Sequence, residues 1–194
     1  MSDLTFVGRG GVKLRHALDA FALDVRGLTC ADFGANVGGF TDCLLQAGAA
    51  RVYAVDTGYG TLAWKLRKDP RVVVLERTNA IHAPIPEPVD LVAIDLGWTS
   101  QRHAIPAALR WLKPQGRIVS LIKPHYELLP EEKRLLRSGV LAEADAERIA
   151  RRTYDSLPGS GVRHLGLVRS PILGGASKGA RLGNAEWLAL IGPP

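Results

Sequence analysis

Ala31-Asp32-Phe33-Gly34-Ala35-Asn36-Val37-Gly38-Gly39-Phe40-Thr41 reads as the end of a buried strand, a glycine turn and the start of a helix. A turn of this kind lets backbone approach a nucleoside closely. Its spacing is Asp-x-Gly-x-x-x-Gly-Gly. Dinucleotide binders instead use Gly-x-Gly-x-x-Gly to seat a pyrophosphate at a helix N-terminus. The departure points to S-adenosylmethionine, which has no pyrophosphate. That molecule offers a ribose, an amino-acid end and a sulfonium cation, which call for carboxylates and backbone carbonyls.

On the N-terminal side, Leu14, Ala17, Leu18 and Phe21 fall on one face of a helix expected over residues 12–21. The glycine turn joins a strand at 30–33 to a crossover helix at 39–47. Further strands are expected at 51–55, 71–75, 89–94 and 117–122. Helices are expected at 61–68, stopped by Asp69-Pro70, and at 103–112, ended by Lys113-Pro114 and Gly116. Residues 130–157 carry one or two amphipathic helices broken near Gly139. The last two strands, 161–169 and 185–191, have no helix between them, so the final strand is expected to run antiparallel. The class is therefore α/β: a Rossmann-like, S-adenosylmethionine-dependent methyltransferase fold, with a seven-stranded, mostly parallel sheet and helices on both faces. Residues 1–194 read as one domain, in which residues 1–25 form the N-terminal helical segment that carries Lys13.

Composition narrows the function classes. Hydrophobic residues make up 46% of the chain and charged residues 23%, as in soluble globular proteins. No apolar run approaches the ~18 residues of a membrane span, no signal peptide opens the chain, and nothing supports membrane lysis. A cytoplasmic protein is expected. Cys30 and Cys43 read as buried reduced thiols rather than a disulfide framework. His16, His82, His103, His125 and His164 lack metal-ligand spacing, so no metal is expected. The net charge of +6 favours polyanionic partners without requiring them.

In open α/β sheets ligands bind outside the carboxyl ends of the strands. Asp32 and Gly34 stand there after the first strand, Asp56 after the second and Asn79 beyond the third. Asp95 follows the fourth and Lys123 the fifth. Glu186 reaches the same edge if the last strand is reversed. The cofactor contacts expected on this basis are Asp32, Gly34, Ala35, Asn36, Gly38, Gly39, Phe40, Asp56, Thr57, Asn79 and Asp95. Asp56 suits ribose hydroxyls, although an acid after a strand also caps helices and shapes turns. Asn79 meets the adenine edge or shapes a turn.

Several segments, in order and spanning nearly the whole chain, carry a resemblance. They are Arg9-Gly10-Gly11-Val12-Lys13-Leu14, residues 32–45, residues 51–79, Ile122-Lys123-Pro124-His125-Tyr126-Glu127 and Gly183-Asn184-Ala185-Glu186-Trp187-Leu188. In these the chain resembles the methyltransferase domain of the TlyA (haemolysin A-like) family, within the FtsJ-like ribose 2′-O-methyltransferases. The Lys-Asp-Lys-Glu tetrad of the FtsJ-like group falls, motif by motif, on Lys13, Asp95, Lys123 and Glu186. The resemblance implies methyl transfer from S-adenosylmethionine to a ribose 2′-hydroxyl of RNA, ribosomal RNA in particular. The chemistry agrees. A ribose hydroxyl is a weak nucleophile that must lose its proton as it attacks, and a lysine crowded by a second cation can serve as base. Lys123 is the candidate base, with Lys13 beside it and the two carboxylates orienting both.

The sequence departs from that family at three places. The S4 RNA-binding domain usual there has no counterpart, so RNA recognition is expected to rest on the catalytic domain, a separate RNA-binding partner or a homo-oligomer. After Asp95 stand Leu96-Gly97-Trp98-Thr99-Ser100 where the family tends to Ser-Phe-Ile-Ser. Methylation of a small molecule or another acceptor, such as another RNA position, or a non-catalytic S-adenosylmethionine-binding protein that docks on RNA or a partner, is therefore the alternative. Trp98 either stacks on a base or packs within its loop. A long glycine-rich loop at 174–181 either offers Lys178 and Arg181 as phosphate contacts or is simply a mobile basic loop. Arg148, Arg151 and Arg152 read as a solvated helix face, or as backbone contacts. His125, beside Lys123, either lines the site or packs.

Overall fold

The computed structural model describes residues 6–175 and 183–194. In chain order the elements are α1 (Gly10–Ala20), β1 (Thr29–Phe33), α2 (Gly39–Gln46), β2 (Arg51–Val55), α3 (Trp64–Arg67), β3 (Val72–Leu75) and β4 (Val89–Ile94). Then come α4 (Gln101–Leu109), β5 (Leu112–Ile122), α5 (Glu143–Ser156), β6 (Arg163–Arg169) and β7 (Trp187–Gly192). Short 3-10 turns lie at Pro124–Tyr126, Pro130–Leu135 and Leu157–Ser160.

The seven strands form one sheet in the order β3-β2-β1-β4-β5-β7-β6. Neighbours from β3 to β5 pair in parallel, and β7 is inserted antiparallel to both β5 and β6. This is the Rossmann-like methyltransferase fold expected from the sequence. Its central strands are apolar on both faces because helices cover both. On one face Ala104, Ile105, Ala146 and Ile149 of α4 and α5 pack on Phe33, Val92 and Ile94. On the other, Leu14, Leu18, Phe40 and Leu44 of α1 and α2 pack on Cys30, Leu91 and Leu121. Trp111 is fully buried, edge-on to Phe33 at 5.3 Å and to Tyr53 at 6.0 Å between ring centroids. Cys30 and Cys43 are buried and unpaired, and burial pushes each thiol up to about 12.

Strand register gathers the polar residues at one rim. Phe33 is level with Val55 and Ile94, so Gly34, Asp56 and Asp95 each stand one step beyond a strand end. Ile122 is level with Trp187 in the antiparallel pair. Lys123, leaving β5, therefore lies beside Glu186, entering β7. The parallel strands end where the reversed one begins, so the inserted strand adds a carboxylate to an edge that parallel strands alone supply. Close contact between α1 and α2 brings in Lys13. A Cβ on Gly39 would lie 2.9 Å from the backbone nitrogen of Gly11, so only glycine permits that approach.

Three elements differ from the sequence expectation. The helix expected at 61–68 shortens to the single turn of α3, because Ala63 is extended and donates its N–H to Val37 O. Leu112 begins β5 rather than ending α4, and Lys113 to Gly116 ride within the strand as an irregularity between Val89 and Leu91. In 130–157 the expected break is present, with Ser138 and Gly139 at positive φ, but the first piece is a 3-10 turn.

Candidate active site

A cavity of about 490 Å³ opens at this rim. Lys13, Asp95, Lys123 and Glu186, from four separate elements or their ends, all line it. They form two ion pairs. Lys13 Nζ lies 2.5 Å from Glu186 Oε2, with side chains only 8% and 3% exposed. Lys123 Nζ lies 2.5 Å from Asp95 Oδ1 and donates to Leu96 O at 3.2 Å. Burial pushes the Glu186 carboxyl above its ordinary range, against the pull of Lys13 and Lys123. Gly174 packs directly on Glu186, where a Cβ would lie 2.5 Å from Oε1. That segment is tied down by Arg9 Nη2, which donates to Leu173 O at 2.7 Å.

The far side is built by the glycine turn and Asp56. Gly34 adopts φ +91°, and a Cβ there would lie 2.6 Å from Asp95 O, so the turn sits against the β4 exit. Asp56 accepts from Asn36 N and Gly58 N, each at 2.7 Å, which fixes its carboxylate at the rim. Gly34, Ala35, Asn36, Gly39, Phe40, Asp56, Thr57, Asn79 and Asp95, all expected contacts, line the cavity. Asn79 also shapes its turn, since its Oδ1 accepts from Ile81 N at 3.0 Å.

Two expected contacts need correction. Asp32 does not line the cavity. It lies within β1, and the period-two alternation of a strand turns its side chain onto the α2 face. There its Oδ2 accepts from Thr41 N at 2.9 Å and Thr41 Oγ1 at 2.7 Å, so it secures the helix start from below. Gly38 is also absent from the cavity wall. It is the left-handed N-cap of α2, φ +99°, packed on Leu62 and Leu66. Gly10, Val37, Thr78, Leu96, Gly97 and Thr99 were not selected as contacts but line the cavity. Most stand just beyond a strand end or within the glycine turn, the same signal that found their neighbours.

Asp32 is fully buried, its Oδ1 has no hydrogen-bond partner among the described residues, and burial pushes its carboxyl up to about 7 from 3.8. Between those values the folded chain holds a proton that the unfolded chain has released. Asp32 therefore costs stability as pH rises from about 4 to about 7, and the cost levels off above that. Urea unfolding of Asp32→Asn should show the variant gaining on the parent across this window. Parallel pH profiles would refute the assignment.

The remaining sequence candidates sort by partner. His125 is not on the cavity wall. Its ring lies at a tilt to Tyr126, 4.1 Å between centroids, and burial, with Lys123 and Lys13 nearby, pushes its imidazole down to about 4. Trp98 lines the cavity, is 88% exposed and stacks at a tilt on Tyr126, 5.1 Å between centroids. Arg148, Arg151 and Arg152 are paired with Glu132, Asp145 and Glu147. Lys178 and Arg181 lie outside the described residues. Among the described residues no group of three or more His, Cys, Asp or Glu could hold a metal ion, and no helix is long and apolar enough to cross a membrane.

Residues 6–180 match the model of the FtsJ-like methyltransferases. The chain belongs to that family. It is 50% identical over 131 residues to "16S/23S rRNA (cytidine-2'-O)-methyltransferase TlyA" of Mycobacterium tuberculosis, covering 66% of this chain and 48% of that protein. It is 38% identical over 195 residues to "Putative rRNA methyltransferase YqxC" of Bacillus subtilis, covering 96% of this chain and 66% of that protein. This FtsJ-like chain thus spans about half the length of the mycobacterial relative and about two thirds of the Bacillus one. Among solved structures, "Putative hemolysin from Streptococcus thermophilus" superposes with a TM-score of 0.88 at 36% identity, covering 99% of this chain and 68% of that one.

Proposed function

We propose that this FtsJ-like chain transfers a methyl group from S-adenosylmethionine to a ribose 2′-hydroxyl of RNA, with ribosomal RNA as the substrate class. The observation that carries the reading is the meeting of Lys13, Asp95, Lys123 and Glu186 as two short ion pairs on one cavity wall. The name of the mycobacterial relative, which specifies an rRNA ribose methylation, supports it.

The residues present fit the cofactor. The cavity has the size of a small-molecule site. Its donor set is carboxylates, an amide and turn backbone, which suits a ribose, an adenine edge and a cationic centre. Asp56, Asn79 and the Gly34–Val37 backbone would hold the nucleoside, and Asp95 and Gly10 border the remaining space. When bound, S-adenosylmethionine supplies an electrophilic methyl whose sulfonium departs as a neutral thioether.

The chain's own residues then manage one proton and the orientation of the acceptor. Lys123 Nζ is anchored by Asp95 Oδ1 and Leu96 O, which leaves its third N–H position for a hydroxyl. Passing a proton along the short contact to Asp95 Oδ1 frees Nζ to accept the one that the 2′-hydroxyl gives up as its new C–O bond forms. Lys13, fixed by Glu186, lends positive charge to the oxygen that becomes negative. Holding the acceptor in line supplies much of the remaining acceleration.

The deciding experiment incubates the protein with methyl-labelled S-adenosylmethionine and ribosomal RNA, then digests the RNA to nucleosides. Label on a 2′-O-methyl nucleoside is the expected result. Label confined to base-methylated nucleosides or to small acceptors overturns the reading. Binding of the cofactor without turnover on any acceptor identifies a non-catalytic protein instead.

A further inference from the structure

A second groove, about 840 Å³, adjoins the cavity and shares Asn79, Trp98 and Thr99 with it. Its other walls include Arg102 and His103 at the start of α4, Tyr126 and Lys133 on the first two 3-10 turns, and His82. Its two cations, Arg102 and Lys133, differ in pairing from those of α5. The arginines of α5 are each matched by a carboxylate, as are Arg67, Arg71 and Lys113 elsewhere. Arg102 and Lys133 are exposed and have no ion-pair partner among the described residues, nor does Arg134 next along the turn. Arg102 Nε donates to the ring nitrogen Nε2 of His103 at 3.1 Å, and its charge also acts on Glu127. The one carboxyl in the groove, Glu127, accepts from Gln101 N at 2.8 Å, and burial pushes it up to about 7.

We propose that this groove carries the single strand of RNA flanking the acceptor nucleotide, with Arg102 and Lys133 on its phosphates. The inference rests on the RNA-methylating reading above. A 2′-hydroxyl inside a concave cavity is accessible from a splayed strand, not from a closed A-form helix. The strand must leave the cavity past some part of its wall. The Trp98–Thr99 ridge opens onto unmatched cations and an aromatic ring, the combination that tracks single strands. On the opposite side, Gly174 packs on Glu186, and its neighbour Leu173 is tied down by Arg9.

The test is a salt titration. Binding of a short 5′-fluorescein, mixed-sequence single-stranded RNA is followed by anisotropy for the parent, for Arg102→Ala/Lys133→Ala and for Arg148→Ala/Arg151→Ala. Losing two phosphate contacts should weaken binding and flatten the log Kd against log salt slope by about 1.4, at about 0.7 per single-strand phosphate. S-adenosylmethionine affinity by calorimetry should be unchanged, which verifies folding. The α5 variant should keep the parent slope. A parent slope in the groove variant, with RNA still methylated, removes the groove and leaves the proposed function standing. A parent protein that neither binds nor methylates RNA removes both.

Discussion

Lys123→Ala should cut methyl transfer to RNA by roughly 10²- to 10⁴-fold, the span usual for removing a positioned acid–base group. Affinity for S-adenosylmethionine should change little by comparison. The asymmetry follows from what Lys123 touches. Its amine is held by Asp95 Oδ1 and Leu96 O, whereas the turn and Asp56 on the far wall do not depend on it. Asp95 is partly exposed, so water can solvate it once the lysine is gone and the fold should survive. Lys123→Arg separates two roles for the same residue. A guanidinium keeps the positive charge but does not give up a proton in a protein. If Nζ moves a proton, arginine should be nearly as poor as alanine. If it only stabilises negative charge, arginine should recover most of the rate. Single-turnover rates at saturating cofactor read this directly, and an alanine variant with parental turnover would remove Lys123 from the chemistry.

Much of the architecture was legible because it depends on two local signals. Apolar strands alternate with helical segments, and a glycine turn follows the first strand, which together specify a doubly covered parallel sheet. The rule that ligands bind beyond strand ends put Asp56, Asp95 and Lys123 at one rim, and all three line the cavity. Glu186 needed one more step, the reversal of β7, which the missing crossover helix disclosed. The failures are equally local. Asp32 was assigned to the rim although it lies inside the strand expected at 30–33, and period-two alternation turns its side chain under α2. α3 was overestimated because Ala63 gives its N–H to the glycine turn, a tertiary bond that no propensity records. The second groove was invisible for another reason. Arg102 and Lys133 are 31 positions apart, and their lack of carboxylate partners is a property of the folded surface alone.

The buried pair Lys13–Glu186 should behave unlike Lys123–Asp95, because its members have almost no access to water. Lys13→Met leaves a carboxylate buried beneath Gly174 with its cation removed, at a cost of about 3–5 kcal/mol. Burial already holds the Glu186 carboxyl above its ordinary range even with the lysine present. Without the lysine the folded-state value rises further, so the folded chain binds a proton that the unfolded chain does not. The damage should therefore be greatest at alkaline pH and shrink as acid protonates Glu186. Glu186→Gln in the same chain removes the charge itself, and Lys13→Met/Glu186→Gln should regain most of the lost stability. Activity should not return with it, since the double variant still lacks the cation that the proposed mechanism sets beside the acceptor oxygen. A double-mutant cycle by urea unfolding, run beside the nucleoside assay, reads both quantities. Recovery of stability without recovery of turnover assigns the pair a chemical role. Recovery of both reduces it to a packing device, and recovery of neither means that Lys13 supports the α1–α2 junction by contacts other than its charge.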